Sequence, residues 1–476
     1  MKSYTNQLVA LFIAAMLFYG CDKWIEGYDN DPNSTSEVSI DNLFTASQVN
    51  LFNFSENHLA RTIAIWMQQM AGMDRQYKSL GLYEIEENEY SSSWQSVYIN
   101  GGLKDLRKIQ SMANNEGPKG TRYQGIAQIM EAYLVGMAAS IWGDIPYSEV
   151  LNESIENPKL DEQSQVYLAI QNLLNESIEN LSYNLASDTT IAPQNDMFFK
   201  GDKEKWKAAA YTLKARYYMH WVETDIAYCD SALYYSGFGI SSLEGTMKTL
   251  HGTESSEQNV WYQFEQDRQN YMVAGYNLVD LLKTNNDPRD SIYFGKVAGS
   301  INGASPNPDD KEGAGVKGKS YLNEEYFGAD ASIDIISYEE NLLIKAECHF
   351  LKNEISEAQQ ALQDAQTAAE EKWGFEDDTF PDIPSSLTGS DLLNKILEEK
   401  YIALFLNIEL WNDYKRNCYP EVKYEKSQDN SGNPIYKYPP ARVYYPEDER
   451  ITNTSIPNIT GQPEHNENDT EQCRIE

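Results

Sequence analysis

Carboxylates are the commonest reactive groups in this chain. Its 73 Asp and Glu residues include the cluster Glu84, Glu86, Glu87 and Glu89. Glycoside hydrolysis needs two carboxylates about 5–10 Å apart across a cleft, and among so many acids closeness in sequence singles out no pair. The five histidines, His58, His220, His251, His349 and His465, are dispersed. They lack the HExxH spacing that sets two metal ligands on one helix face. His220 and His349 fall in helical stripes and read as core or cap residues. The sequence contains no GxSxG nucleophile turn and no Cys/His nucleophile pair. Gly313, Gly315 and Gly318 lack the strand-then-helix context of a phosphate-cradling loop. These residues argue against an enzyme and indicate neither metal nor cofactor.

Aromatic rings suggest a different chemistry. A sugar stacks its C–H faces on flat rings, while Asp, Asn and Arg side chains read its hydroxyls. Tyr77, Tyr83 and Tyr90 fall between two helical segments. Trp261, Tyr262, Phe264 and Tyr271 come with Gln263, Asp267, Arg268 and Asn270. Tyr293 and Phe294 follow a turn, and Tyr321, Tyr326 and Phe327 close a Gly-rich tract. The candidate ligand-binding residues are Tyr77, Tyr83, Trp261, Tyr262, Tyr271, Tyr293 and Tyr321. At least two of these rings are expected to line a ligand face, the others covering core under long loops. Trp261 and Tyr293 are expected to be removable with little loss of stability. The 33 Tyr against 15 Phe mean many rings with a wet edge, which suits sugar or peptide surfaces. Trp94 and Trp411 read as packing residues.

Helical periodicity dominates the elements that must position these rings. One stripe runs through Ile126, Met130, Tyr133, Leu134, Met137 and Ile141, and another through Trp206, Ala210, Leu213, Tyr217 and Trp221. Leu343, Ala346 and Phe350 mark a third; Leu393, Ile396, Leu397, Tyr401 and Leu404 mark a fourth. The Ala/Gln/Glu-rich stretch 356–372 follows the third after a break at Lys352–Asn353, in the manner of stacked tetratricopeptide hairpins. Long irregular stretches cover 236–253, 285–328 and 417–446, with a polar tail from 452. β-rich patterns are few, so the chain is expected to be mainly helical with small hairpins.

The ends and the charge narrow the function further. Lys2, the apolar run 8–18 and Gly20 before Cys21 read as a secretory signal, too short for the ~20 residues of a membrane-spanning helix. Cys21 is then expected to be the lipid-anchored first residue of the mature protein. No later apolar run approaches membrane length. The balance of 38 basic against 73 acidic residues, net −35, repels phosphate backbones and makes nucleic acid a poor partner. It favours neutral or cationic ligands. Cys229, Cys348, Cys418 and Cys473 are widely spaced, so single buried thiols are expected, with one pair left open.

Several segments, in this order, resemble the SusD/RagB family of outer-membrane lipoproteins of Bacteroidetes. They are Asp31-Pro32-Asn33; Trp142-Gly143-Asp144-Ile145-Pro146-Tyr147; Lys205-Trp206 with Leu213-Lys214-Ala215-Arg216; and Asn286-Asp287-Pro288-Arg289. Further on come Ser337-Tyr338-Glu339-Glu340, Lys345-Ala346-Glu347, Glu409-Leu410-Trp411-Asn412-Asp413 and Arg442-Val443-Tyr444-Tyr445-Pro446. The resemblance implies a SusD-like fold, mainly α, with four tetratricopeptide-like helical hairpins and an irregular, loop-rich capping part. It implies a lipoprotein signal peptide at 1–20, an anchor and acidic tether at 21–36, and one helical domain at 37–476. It implies a cell-surface protein, held to the outer membrane by its lipid, that captures oligosaccharides or polysaccharides for a SusC-like TonB-dependent transporter. A peptide-binding relative is the alternative, and a glycoside hydrolase a more distant one. Trp142, Asp144 and Pro146 are expected to close a helix end, and Glu409, Trp411 and Arg416 to pack and pair inside the scaffold.

Overall fold

The computed structural model describes residues 38–183, 193–305, 316–376, 379–428, 434–470 and 473. The signal 1–20, Cys21, the tether 21–36, and Gly313 and Gly315 lie outside those residues. The chain divides into two units, Met1–Asn42 and Leu43–Glu476; of the first, only 38–42 are described.

Helices dominate, as the periodicity predicts. The N-terminal half carries α1 (Ile40–Glu56), α2 (His58–Trp66), the strand β1 (Met70–Gly72), α3 (Arg75–Gly81), α4 (Ser91–Tyr98) and α5 (Leu103–Asn115). Then come α6 (Thr121–Trp142), α7 (Gln163–Ser182), α8 (Lys203–Met219) and α9 (Tyr228–Ser236). The stripe expected to reach Trp221 ends with α8 at Met219.

α6 is the core helix. By length and composition it could cross a membrane, a length the sequence reading passes over, yet it is enclosed by protein throughout its apolar window. A helix apolar all round is a buried one. It packs against α5, α7 and α8, and the approach to α8 is close: a Cβ on Gly136 would stand 2.2 Å from the Tyr217 ring. The Tyr217 hydroxyl donates to the Ala132 carbonyl at 2.8 Å. At the end of α6, Gly143 turns the chain with φ 77°. There Asp144 accepts from the Gln163 N–H at 2.8 Å, at the start of α7, and Arg442 donates to the Trp142 carbonyl. The Tyr445 hydroxyl donates to the Asp144 carbonyl at 2.6 Å. Two of the quoted motifs thus fasten to each other.

The middle of the chain holds β2 (Met247–Lys248), α10 (Val260–Asp267), β3 (Met272–Ala274), α11 (Tyr276–Thr284), α12 (Arg289–Tyr293), α13 (Glu324–Phe327) and β4 (Asp334–Ile336). Next come α14 (Tyr338–Leu351), α15 (Ile355–Trp373), α16 (Gly389–Ala403) and α17 (Glu409–Asn417). α14 starts in a capping box, Ser337 and Glu340 each accepting the other's N–H. Asn353, at φ 62°, makes the expected break before α15. The small face Ala358, Ala361, Leu362 and Ala365 packs on Leu342, Leu343 and Ala346 of α14 and on Leu392 and Ile396 of α16. The chain ends with β5 (Tyr424–Gln428), β6 (Pro434–Lys437) and α18 (Glu447–Thr452).

The strands depart from the expectation of small hairpins. Only β5–β6 joins neighbours; β1 pairs with β3, and β2 with β4. Short strands here staple distant segments. The cysteines depart in part: Cys229 and Cys348 are free and buried, but Cys418 and Cys473 form a disulfide. Residues 418 and 473 are brought together by the packing of the tail, which spacing does not encode.

Charges buried between helices tie the scaffold. Glu347 of α14, fully buried, accepts from Lys400 of α16 at 2.5 Å and Arg416 of α17 at 2.9 Å. Asp413 completes the group, 2.7 Å from Lys400 and 2.5 Å from Arg416. Arg216 of α8 meets Glu340 of α14 at 2.5 Å, and His220 meets Glu409 of α17 at 2.7 Å. Burial alone would raise the Glu347 carboxyl, but Arg416 and Lys400 outweigh it and hold it well below the ordinary glutamate range. Its contribution is therefore complete above the unfolded pKa of ~4.3 and lost as pH falls toward the lower folded value. Glu347→Gln should cost roughly 3–5 kcal/mol at neutral pH. The deficit should shrink as pH falls below ~4.3, which urea midpoints measured across the acid range will check.

Candidate ligand-binding surface

Three stretches far apart in sequence, 70–81, 259–274 and 320–321, converge at β3. β1 and β3 run antiparallel with Gly72 opposite Met272, and the Met73 N–H donates to the Tyr271 carbonyl at 2.8 Å. Gly72 is required there, because a Cβ would stand 1.8 Å from the Tyr77 carbonyl oxygen. Asp74 caps α3 by accepting from the Arg75 N–H at 2.9 Å. The Ala274 N–H donates to the Ser320 carbonyl at 2.7 Å, which brings Tyr321 alongside. α10 is anchored by buried Asn259, which accepts from the N–H groups of Trp261 and Tyr262 at 2.8 and 3.1 Å. The Asn259 amide also donates to the Ala331 carbonyl at 2.9 Å.

The seven candidate rings separate by burial. Trp261, Tyr77, Tyr293 and Tyr83 are 1 %, 2 %, 2 % and 7 % exposed. Tyr83 donates to the Trp66 carbonyl at 3.3 Å and accepts from Gln68 at 3.1 Å. Tyr293 stacks on Phe405 at 4.2 Å and donates to the Ile402 carbonyl at 3.0 Å. Rings covered in this way offer a ligand no free face. Tyr262, Tyr271 and Tyr321 are half-buried. Tyr77, Trp261, Tyr262, Tyr271 and Tyr321 come from the converging segments; Tyr83 and Tyr293 pack elsewhere.

Tyr77 is the floor of the surface. Its ring lies 4.9 Å from Phe264 and 6.3 Å from Tyr271. The Tyr321 hydroxyl donates to exposed Asn270 at 2.9 Å. The Arg75 guanidinium lies 5.7 Å over the Tyr271 ring, and that of Arg61 lies 4.4 Å over Phe264. Arg61 donates to the Tyr77 hydroxyl at 3.0 Å and to Asn57 at 2.5 Å. His58 meets the same hydroxyl at 3.2 Å and Glu89 at 2.5 Å. Glu265 of α10 accepts from the Leu322 N–H at 3.3 Å. Burial pushes its carboxyl up to about 8, with Glu324 adding to the rise, so at neutral pH it is mostly protonated. Among the described residues no group of three or more His, Cys, Asp or Glu side chains could hold a metal ion. The arrangement offers half-covered rings, amides and guanidinium groups, which suits binding.

Sequence reasoning passes over Arg61, Arg75 and Tyr276, the last 46 % exposed directly after Gly275. Arg61 interrupts an otherwise apolar helix, LARTIAIW, and that break in pattern is a readable signal. Another run of rings, on α8 and α9, is unsuited to stacking. Tyr211, Tyr218, Tyr228 and Tyr235 stack face to face, Tyr218 and Tyr235 within 2° of parallel, so their faces are used on one another.

Burial corrects the expectation that Trp261 and Tyr293 could be removed at little cost. Each truncation to Ala should lower stability by about 3–5 kcal/mol, seen as a fall in the denaturation midpoint whether or not ligand is present.

No curated protein matches the chain in sequence. Solved structures share its fold. A chitin-binding SusD homologue from Flavobacterium johnsoniae matches with TM-score 0.70 at 17% identity, over 91% of this chain and 99% of that one. A SusD/RagB family protein from Bacteroides thetaiotaomicron matches with TM-score 0.66 at 21% identity, over 90% and 97%. A structure described as a chitin-binding protein matches with TM-score 0.69 at 22% identity, over 87% and 94%. The family model described as starch-binding and associating with the outer membrane covers residues 32–446. The chain belongs to that SusD-like family.

Proposed function

We propose that the chain is a cell-surface lipoprotein that captures oligosaccharides or polysaccharides on the Tyr271–Tyr321 face. It passes them, without chemistry, to a SusC-like TonB-dependent outer-membrane transporter. The observation that carries this reading is the grouping of half-buried Tyr271 and Tyr321 with exposed Asn270 and Arg268 on one surface. The family's description as starch-binding, and the chitin-binding names of two structural neighbours, support a sugar as the ligand. Residues 1–20 act as a lipoprotein signal, Cys21 carries the lipid, and 21–36 form the tether to the outer membrane. A disulfide suits an exported protein.

Each ring-to-sugar contact is worth ~0.5–1.5 kcal/mol, as for other aromatic pairs. A few such contacts give a dissociation constant of roughly micromolar to millimolar size, weak enough for release to a transporter. In affinity gels, one or more soluble polysaccharides should retard the protein. Tyr271→Ala with Tyr321→Ala should weaken that retention about tenfold, ~1.4 kcal/mol, at an almost unchanged melting temperature. A protein retarded by no glycan but bound by a mixed peptide digest would be a peptide-binding relative instead. Replacing Cys21 with Ala should move the protein from the membrane fraction to the soluble one; membrane retention of that variant removes the lipid anchor from the account.

A further inference from the structure

Three guanidinium groups gather at this surface in a chain of net charge −35. Arg61 is the unusual one. It is 6 % exposed, yet among the described residues it forms no ion pair and its Nη1 has no hydrogen-bond partner. A chain of hydrogen bonds through Tyr77 and His58 links it to Glu89. A buried charge without a counterion is costly. Above it, the Arg75 side chain is 72% exposed and reaches Asp74 only at 3.9 Å. The Arg268 side chain is exposed and donates to the Asp267 carbonyl, and among the described residues it forms no ion pair. It lies near enough to Tyr77 to oppose the rise that burial gives that phenol.

The carboxylates around the surface do not cancel these charges. Glu89 is committed to His58 at 2.5 Å. Asp74 accepts from the α3 N-terminus. Glu324 accepts from Gln266 at 3.0 Å, and Glu265 is mostly protonated at neutral pH. Asp74, 3.9 Å from Arg75, and Asp267, exposed and next to Arg268, are the acids that compete directly.

We propose that the ligand is an anionic glycan, whose carboxylate or sulfate groups are met by Arg75 and Arg268 while its sugar rings lie on Tyr271 and Tyr321. Arg61 holds a positive field beneath the rings. The forked guanidinium matches planar or tetrahedral oxyanions by paired hydrogen bonds, which a neutral hydroxyl cannot equal. This inference rests on the glycan reading above. It reverses the expectation from net charge: the overall −35 repels polyanions everywhere else, so capture of one reports this surface.

The test is affinity electrophoresis of the full chain in two sets of polysaccharides. Polygalacturonate, alginate and hyaluronate (carboxylate only) and chondroitin sulfate form one set; starch, xylan, laminarin and chitin oligosaccharides form the other. At least one anionic polymer should retard the protein. Retardation should weaken as ionic strength rises from about 0.01 M to about 1 M, where the screening length falls from ~30 to ~3 Å. Arg75→Gln with Arg268→Gln should weaken it about tenfold or more with unchanged melting temperature, and the corresponding Lys pair should lose less. Binding by chondroitin sulfate but not by its desulfated form assigns sulfate, and binding by a uronate polymer without sulfate assigns carboxylate. Retention by neutral glycans only, indifferent to both Arg variants, overturns the anionic ligand and leaves glycan binding standing. Retention by no polysaccharide overturns both.

Discussion

The carboxylate of Glu347 is the point on which the helical scaffold turns. A buried carboxylate alone is expensive, several kcal/mol even after relaxation. Lys400, Arg416 and Asn417 surround it, and Asp413 balances the second cation. The four ionic groups come from α14, α16 and α17; Asp413 and Arg416 pair within α17, while Glu347 and Lys400 find their partners on other helices. Relative to a well-packed apolar core such a group adds little net stability. Its effect is selective. Any sliding of one helix past another leaves a bare charge inside, while an apolar seam would tolerate a new register.

The same logic recurs across the molecule. Arg216 of α8 meets Glu340 at the start of α14, Arg289 meets Asp287 and Glu399 of α16, and Lys372 of α15 meets Asp334 and Glu339. The first joins two of the short motifs that carry the resemblance, and the other two tie one such motif each to α16 or α15. The charge of Arg216 in one motif thus explains that of Glu340 in another.

Legibility from sequence followed the range of the interactions. α6 and the α14–α15 pair were readable because their apolar spacing and the Lys352–Asn353 break are local. Trp94 and Trp411 were readable as packing residues because they sit in helical patterns, and they are 3 % and 0 % exposed. β1 and β3 were not readable. Three-residue strands buried along their length carry no alternation, and their partners lie about two hundred positions apart. The rings failed for a related reason. Trp261 and Tyr271 have similar sequence surroundings, but one points under α10 and the other flanks a strand. Only the pairing of β1 with β3 decides which ring keeps a free face.

A division of labour follows from this contrast. The ion-tied helices fix the scaffold, while the proposed ligand surface is made of short strands, a seven-residue helix and loops, whose local stability is lower. Rings on such elements can adjust to a polymer without disturbing the core. Weak stacking on adjustable rings favours release, but it gives little selectivity, because every sugar has an apolar face. Charge supplies the selectivity that stacking lacks. A guanidinium pair over Tyr271 and beside Asn270 admits ligands by the spacing of their oxyanions, and the negative surface around it excludes polyanions that miss that spacing. On this reasoning affinity belongs to Tyr271 and Tyr321, and choice of ligand belongs to Arg75 and Arg268.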